Sequence, residues 1–361
     1  MQLLLNLLTI LLSFYVMAKV VDNHFIKSLD NIAALLKLTP SVAGATLLAL
    51  GTSAPEISTS LFALFLPNSN PATGLGTVVG SAIFQILVVI GFASLVKTTY
   101  LNWKPVIRDG AFYSITIILL ITFVQDNQLT FIEASILVGT YLIYLLVLFL
   151  WSRYVPEESE PDPIKLATQK VAPPENRYKF IFRYFSVLTY PIDFVLSLIP
   201  DCEKKKKYTF FVFILSLVLI AGASYFSVVS AESIALYMGV PPAIIALTIL
   251  AGGTSVPELI SSAIVAKQGR GDMAISNAIG SNVFDILMSL GLPILIYTAF
   301  NGTITDIGGE NIKSSILLLF ATLISVLSLL AVQKFKIGRR FGLVLIFLYC
   351  IYVLAAYGGW L

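Results

Sequence analysis

Apolar runs of about twenty residues alternate with short polar breaks from one end of the chain to the other. A run of that length crosses the hydrocarbon core of a bilayer as a helix. Ten such segments are expected, at about residues 1–20, 39–66, 72–97, 108–125, 130–154, 209–230, 240–267, 271–299, 312–333 and 340–359. The expected fold is all-α: a polytopic membrane protein of about ten transmembrane helices. The polar/apolar alternation of a membrane β-barrel is absent from these runs. The opening MQLLLNLLTILLSFYVMA has no basic region before a long apolar run, so it reads as the first span and not as a secretory leader.

One long hydrophilic stretch divides the pattern five and five. The expected organisation is a first transmembrane repeat over 1–154, a connection over 155–208 and a second transmembrane repeat over 209–361. An odd number of spans per half puts the halves in opposite orientations, the inverted-repeat plan that places a substrate site near the membrane midplane. Within the connection, PEESEPDP and APPEN are rich in Pro and Glu and read as flexible. FIFRYFSVLTYPIDFVLSLIP is too apolar for a free loop. It is expected to lie along the membrane face, with Lys204 to Lys207 near anionic head groups; a hairpin packed on the bundle is the plainer alternative.

Composition strengthens the membrane reading. The chain is 57% hydrophobic and 12% charged, where a soluble domain carries roughly 25% charged residues. The distribution of the basic residues orients it. Lys165, Lys170, Arg177, Lys179, Arg183 and Lys204 to Lys207 fall in the connection. Lys19, Lys27, Lys37, Lys97, Lys104, Arg108, Lys267, Arg270, Lys334, Lys336, Arg339 and Arg340 fall in loops on the same side. The opposite loops, PNSNPAT, QDNQLT, AESIALYMGVPP and NGTITDIGGEN, hold no Lys or Arg. By the positive-inside rule the connection is cytoplasmic and both termini lie on the other side.

Against this apolar background one phrase occurs twice. Gly-Thr-Ser-x-Pro-Glu stands at Gly51–Glu56 and again at Gly253–Glu258, an offset of 202 residues. Each copy is followed by a second shared phrase, GSAIFQIL from Gly80 and GSNVFDIL from Gly280, an offset of 200. A carboxylate at the centre of a bilayer costs roughly 2.5–3.5 kcal/mol on insertion scales, so a purely structural role for Glu56, Glu258 and Asp285 is a poor account of them. Pro55 and Pro257 break the helix just before each glutamate and free carbonyls such as those of Ala49 and Ala251. Thr52, Ser53 and Ser60, with Thr254, Ser255 and Ser262, add hydroxyls. Such hard oxygen ligands suit Ca²⁺ and Na⁺, and two carboxylates sharing a site favour a divalent ion.

The second phrases add Ser81 with Gln85 and Ser281 with Asp285, each pair on one helix face. Gly76, Gly80 and Gly280 are expected to permit close helix approach. Serines and threonines in membrane helices often only bond backbone, and a single GxxxG often only packs helices; the repetition is what singles these out. Asp109, Asp126, Glu133, Glu232, Asp272 and Glu310 lie near segment ends and are expected at the interface, with Asp272 capping its helix. His24 reads as interfacial. Cys202 and Cys350 stand in unlike surroundings and are not expected to pair.

The two repeated phrases resemble the alpha repeats of the calcium/cation antiporter superfamily, which includes the sodium/calcium exchangers. VDNHFIKSLDNIAALLKLTPSVAGATLLALGTSAPE, PVIRDGAFYSITIILLITFVQDN, YPIDFVLSLIPDCEKKKKY and KQGRGDMAISNAIGSNVFDIL resemble its potassium-dependent branch. The resemblance implies an antiporter that exchanges Na⁺ for Ca²⁺ by alternating access through one shared site, with K⁺ cotransported with Ca²⁺ in that branch. Its partners are then those transported ions and the lipid bilayer, with no cofactor and no nucleic acid.

The resemblance also implies roles. Glu56 and Glu258 would be the central ligands, with Thr52, Thr254 and the carbonyls of Ala49 and Ala251 completing the cage. Ser53, Ser255, Ser81 and Ser281 would line flanking Na⁺ sites, and Asp285 would bear on K⁺. The branch usually carries Asn where this chain has Gln85 and Asp where it has Glu258, and both longer side chains change the cavity. A H⁺-driven Ca²⁺ exchanger is the alternative, and a cation channel a more distant one. No nucleophile, nucleotide or phosphate motif points to an enzyme.

Overall fold

The computed structural model describes residues 2–36, 49–67, 69–96, 98–154, 189–202, 206–267 and 271–358. The start of the second expected span (39–48), most of the connection, and Lys37, Lys97, Lys204, Lys205 and Arg270 lie outside the described residues. Each apolar run there folds as a helix. The first, α1, runs Gln2–Leu35 through a π-helical turn at Val21–Phe25 and is longer than the expected 1–20. The second span is broken into α2 (Ala49–Thr52) and α3 (Ala54–Phe65). Then come α4 (Pro71–Val96), α5 (Trp103–Phe123) and α6 (Phe131–Tyr154).

The second half repeats the plan. It holds α7 (Thr209–Met238), the broken pair α8 (Pro242–Thr254) and α9 (Val256–Lys267), and α10, which runs Gly271–Phe284 and on through Asp285–Leu290 and Gly291–Asn301. It ends with α11 (Gly309–Val332) and α12 (Arg339–Tyr357). Among the described residues eight helices are long and apolar enough to cross a membrane; the two broken spans bring the number to the expected ten.

Local chemistry sets the helix ends. Asn70 accepts the Ala72 amide at 2.9 Å, and Pro71 follows at a position whose missing donor costs nothing. Thr130 and Glu133 form a reciprocal capping box at the start of α6. Gly239, with φ of 68°, closes α7 in the left-handed conformation that glycine adopts freely.

Among the described residues four two-residue strands record the inversion of the halves. β1 (Thr99–Tyr100) lies between α4 and α5, β2 (Gln128–Leu129) between α5 and α6, β3 (Ile304–Thr305) between α10 and α11, and β4 (Lys336–Ile337) between α11 and α12. β1 pairs antiparallel with β4, and β2 with β3. The loop after the third span of one half thus meets the loop after the fourth span of the other. Those loops share a membrane face only if the halves run in opposite directions.

Of the eight long spans, those bearing the second repeated phrase are the most enclosed: 78% of the apolar window in α4 and 61% of that in α10 are buried, while none of the other six exceeds 39%. The main core joins them to α5, α6, α11 and α12. Helices α1 and α7 lie along each other and form separate clusters, Val20, Phe25 and Leu29 with Ile220, and Ile10 with Ala231 and Ile234. Residues 189–197 of the connection are helical. Leu196 packs into the α1–α7 cluster while Phe194 and Leu198 face outward, so this stretch is a helix docked by one face. Cys202 and Cys350 are not joined in a disulfide.

Candidate cation site

The two GTSxPE phrases fold into nearly superimposable breaks. Ser53 has φ −90° and ψ 8°, and Ser255 has φ −87° and ψ 7°. A new helix starts directly after each serine, and its first full turn is closed by Ile57 N to Ser53 O at 3.0 Å and Leu259 N to Ser255 O at 3.1 Å. Pro55 and Pro257 have no amide to offer the carbonyls of Gly51 and Gly253 one turn back. Glu56 and Glu258 stand in the first turns of α3 and α9, where the helix dipole favours negative charge. Both are buried, at 0% and 2% exposure.

The second phrases bring the halves into contact. Ser81 Oγ on α4 lies 2.6 Å from Ser255 Oγ at the opposite break, and donates to Glu56 Oε1 at 3.5 Å. Gln85 Nε2 donates to Asp285 Oδ2 at 3.0 Å, while Ser281 Oγ donates to Gln85 Oε1 at 2.7 Å. This orientation of the amide is the one that satisfies both neighbours. Ser289 Oγ reaches Asp285 Oδ1 at 3.4 Å.

Gln85 and Asp285 each open a π-helical turn, Gln85–Val89 and Asp285–Leu290. Such turns widen a helix locally and concentrate at functional sites. Close approach of α4 to α8 depends on Gly80: a Cβ there would meet Ala251 Cβ at 2.7 Å and collide with the Leu247 carbonyl.

The carboxyls of Glu56, Glu258 and Asp285 act on one another through space. Thr254 lies beside Glu56, and Ser53 beside Asp285 without closing a hydrogen bond. Ser53 Oγ, Glu56 Oε2, Thr59 Oγ1, Ser60 Oγ and Asn282 Oδ1 are buried and have no hydrogen-bond partner. Each such atom costs on the order of 1–3 kcal/mol unless something satisfies it, and a cation would. Among the described residues no three acidic, His or Cys side chains gather at metal-ligating range. A bound cation would therefore take much of its shell from hydroxyls and carbonyls, as hard, weakly held ions do. A crevice lined by Leu64, Gly74, Leu129, Ile304 and Ile307 reaches Ser60 from the face of the β2–β3 pair.

The structure thus gathers Glu56, Glu258, Asp285, Gln85, Thr254, Ser53, Ser255, Ser81 and Ser281. Thr52 is half-buried just before the first break. Ala49 opens α2, with its side chain outside the described residues, and the Ala251 carbonyl accepts long bonds, 3.3 Å each, from Ser255 N and Thr254 Oγ1.

Three polar residues here, Thr59, Asn282 and Ser289, escaped the sequence reading. Asn282 is fully buried and its Nδ2 points to Ala82 O at 3.5 Å. It sits inside the repeated phrase, but its counterpart is Ala82, so a search for shared positions passes over it. Ser289 is one helical turn beyond Asp285, a spacing that would have revealed it.

One expectation is corrected. Asp109 is not interfacial: it is 3% exposed, and its carboxylate takes Arg108 Nε at 2.8 Å and Tyr144 Oη at 3.2 Å. Helix α5 begins six residues earlier, which moves Asp109 well inside the bundle.

Comparison with known proteins places this geometry. A family model described as sodium/calcium exchanger protein matches residues 6–150 and 208–358. Sodium/potassium/calcium exchanger 5 of Homo sapiens is 30% identical over 95% of this chain and 80% of its own. Sodium/potassium/calcium exchanger 4 of Mus musculus is 27% identical over 97% of this chain and 80% of its own. Among solved structures, the sodium-calcium exchanger NCX_Mj soaked with 2.5 mM Na⁺ and 10 mM Sr²⁺ superposes with a TM-score of 0.59 over 98% of this chain and 99% of that one, at 23% identity.

Proposed function

The chain belongs to the sodium/calcium exchanger protein family, and from that premise we propose that it exchanges Na⁺ for Ca²⁺ across a membrane by alternating access at the site between its two halves. It is an integral, multi-pass membrane protein and a transporter, not an enzyme. The observation that carries the proposal is the Ser81–Ser255 contact, which brings the break of one half and the glutamate of the other into one buried site.

In this reading Glu56 and Glu258 hold Ca²⁺, whose double charge offsets their mutual repulsion. Thr52, Thr254 and the carbonyls of Ala49 and Ala251 complete the shell. Na⁺ ions take the same carboxylates in turn, with Ser53, Ser255, Ser81 and Ser281 lining their flanks. The repeats 1–154 and 209–361 rock about this site, and the connection 155–208 faces the cytoplasm with both termini opposite, as the basic residues indicate.

K⁺ cotransport with Ca²⁺ is a second element of the proposal. Asp285 is a third buried carboxylate, and its partner Gln85 is neutral; this asymmetry suits a monovalent ion beside a divalent one. Relatives named sodium/potassium/calcium exchangers support it.

The test is ⁴⁵Ca²⁺ uptake into proteoliposomes with an imposed Na⁺ gradient, with and without K⁺, and then with a pH gradient alone. Uptake on the Na⁺ gradient is expected. Uptake on the pH gradient alone would install the H⁺-driven reading, and flux without any counter-ion the channel reading.

A further inference from the structure

The α5 wall that packs on α10 contains a group the site as described does not use. Helices α5 and α10 pack side by side and both end at the β2–β3 pair, so they run parallel. Their register is fixed at Asp109. A Cβ built on Gly280 would stand 3.6 Å from Tyr144 Oη and 4.0 Å from Asp109 Oδ2. The Arg108 guanidinium and the Tyr144 phenol both hold that carboxylate in place. From this fixed point, about one turn along α5 is Tyr113, and about one and a half turns along α10 is Asp285. The rise is about 6 Å on α5 and about 7.5 Å on α10, so the two residues arrive at the same level.

Tyr113 is fully buried, and its Oη has no hydrogen-bond partner. A buried tyrosine ordinarily finds a partner for its hydroxyl, as Tyr144 does in Asp109. The Tyr113 phenol is also within electrostatic range of the Asp285 carboxyl. Phenylalanine would fill the same apolar space in this core without leaving a polar atom unmet. What the hydroxyl adds is a buried, unpartnered oxygen lone pair within electrostatic range of Asp285.

We propose that Tyr113 Oη is a neutral oxygen ligand for an alkali cation held beside Asp285, and so helps set which monovalent ion the flank accepts. The ligand set is then the Asp285 carboxylate, the phenol and the neighbouring hydroxyls. A hydroxyl fixed on a packed helix contributes at a set distance, so it discriminates between Na⁺ and K⁺ by fit. The inference rests on the reading of Asp285 as the monovalent flank.

The experiment is the thermal unfolding of the purified full chain titrated with NaCl, KCl or CaCl₂ at constant ionic strength held by choline chloride. Wild type, Tyr113→Phe and Asp285→Asn are compared. Tyr113→Phe keeps the ring and removes only the orphaned oxygen, so without alkali cation it should melt at or above the wild-type temperature. It should shift the half-stabilising concentration of one alkali cation by about five-fold or more, change the Na⁺/K⁺ ratio, and leave the Ca²⁺ titration within about two-fold.

Unchanged Na⁺ and K⁺ titrations in Tyr113→Phe, or an equal loss for Ca²⁺ and both alkali ions, would overturn the role of Tyr113. If Asp285→Asn alters the alkali titrations and Tyr113→Phe does not, only the tyrosine is misassigned. If Asp285→Asn leaves them unchanged, the flank itself is elsewhere and the inference falls with it.

Discussion

Ser81 and Ser255, from opposite halves of the chain, share a hydrogen bond of 2.6 Å, and Ser81 also reaches the Glu56 carboxylate. One side chain thus ties the first glutamate to the second break. Ser81→Ala removes both links. A hydrogen bond to a charged group is worth about 1.5–3 kcal/mol, so the half-saturating Ca²⁺ concentration for Na⁺-driven uptake should rise about ten-fold or more. Ser81→Thr, which keeps the hydroxyl, should fall between the two.

Glu56→Gln and Glu258→Gln should each abolish Ca²⁺ transport. Neither should lower the melting temperature measured without Ca²⁺, because each removes a buried charge from a like-charged cluster. Stability retained with function lost is the pattern expected where a site is strained for its task. Normal Ca²⁺ uptake in both variants would remove these residues from the centre of the mechanism.

Gln85 satisfies two neighbours at once, accepting from Ser281 and donating to Asp285. Gln85→Leu strands both, and should disturb monovalent-ion dependence more than Ca²⁺ affinity. Asp285→Asn should make Ca²⁺ uptake indifferent to K⁺. Both are read from ⁴⁵Ca²⁺ uptake across a KCl series at fixed Na⁺ gradient.

Gly80 and Gly280 occupy matching places in the two repeats and predict different outcomes. Gly80→Ala drives a methyl into the Leu247 carbonyl and Ala251, and overpacking of this kind costs about 1–3 kcal/mol. Gly280→Ala meets nothing nearer than 3.6 Å and should leave the melting temperature unchanged. Thermal unfolding of the two variants checks the contrast.

Asp109→Ala leaves the Arg108 guanidinium, itself only 11% exposed, without its carboxylate. Breaking a buried pair by removing one partner costs about 3–5 kcal/mol, so this variant should be the least stable of the set in denaturant unfolding.

Much of this was legible beforehand. Run length and charge content indicated a ten-span membrane protein, and the doubled GTSxPE phrase pointed to Glu56 and Glu258. That Ser81 and Gln85 share one helix face, as do Ser281 and Asp285, followed from their spacing. What spacing cannot express is contact between segments two hundred residues apart. Whether Ser81 meets Ser255, or Gln85 spans Ser281 and Asp285, depends on how two helices cross. The π-helical turns at Gln85 and Asp285 leave no mark in composition, because any apolar stretch can take the extra residue. Asp109 was misplaced for a related reason: its place near an expected segment end suggested an interface, and its partner Tyr144 lies thirty-five residues away on another helix.

The crossed pairing of the strands bears on how the molecule stays whole. Among the described residues both strand ladders join one half to the other, and neither half pairs a strand with itself. The register of one half against the other is therefore held by contacts beyond the covalent tether as well. A polypeptide severed there would keep both ladders and the buried Ser81–Ser255 contact. Two separately made halves, inserted into one bilayer, would have all the complementary edges needed to find each other.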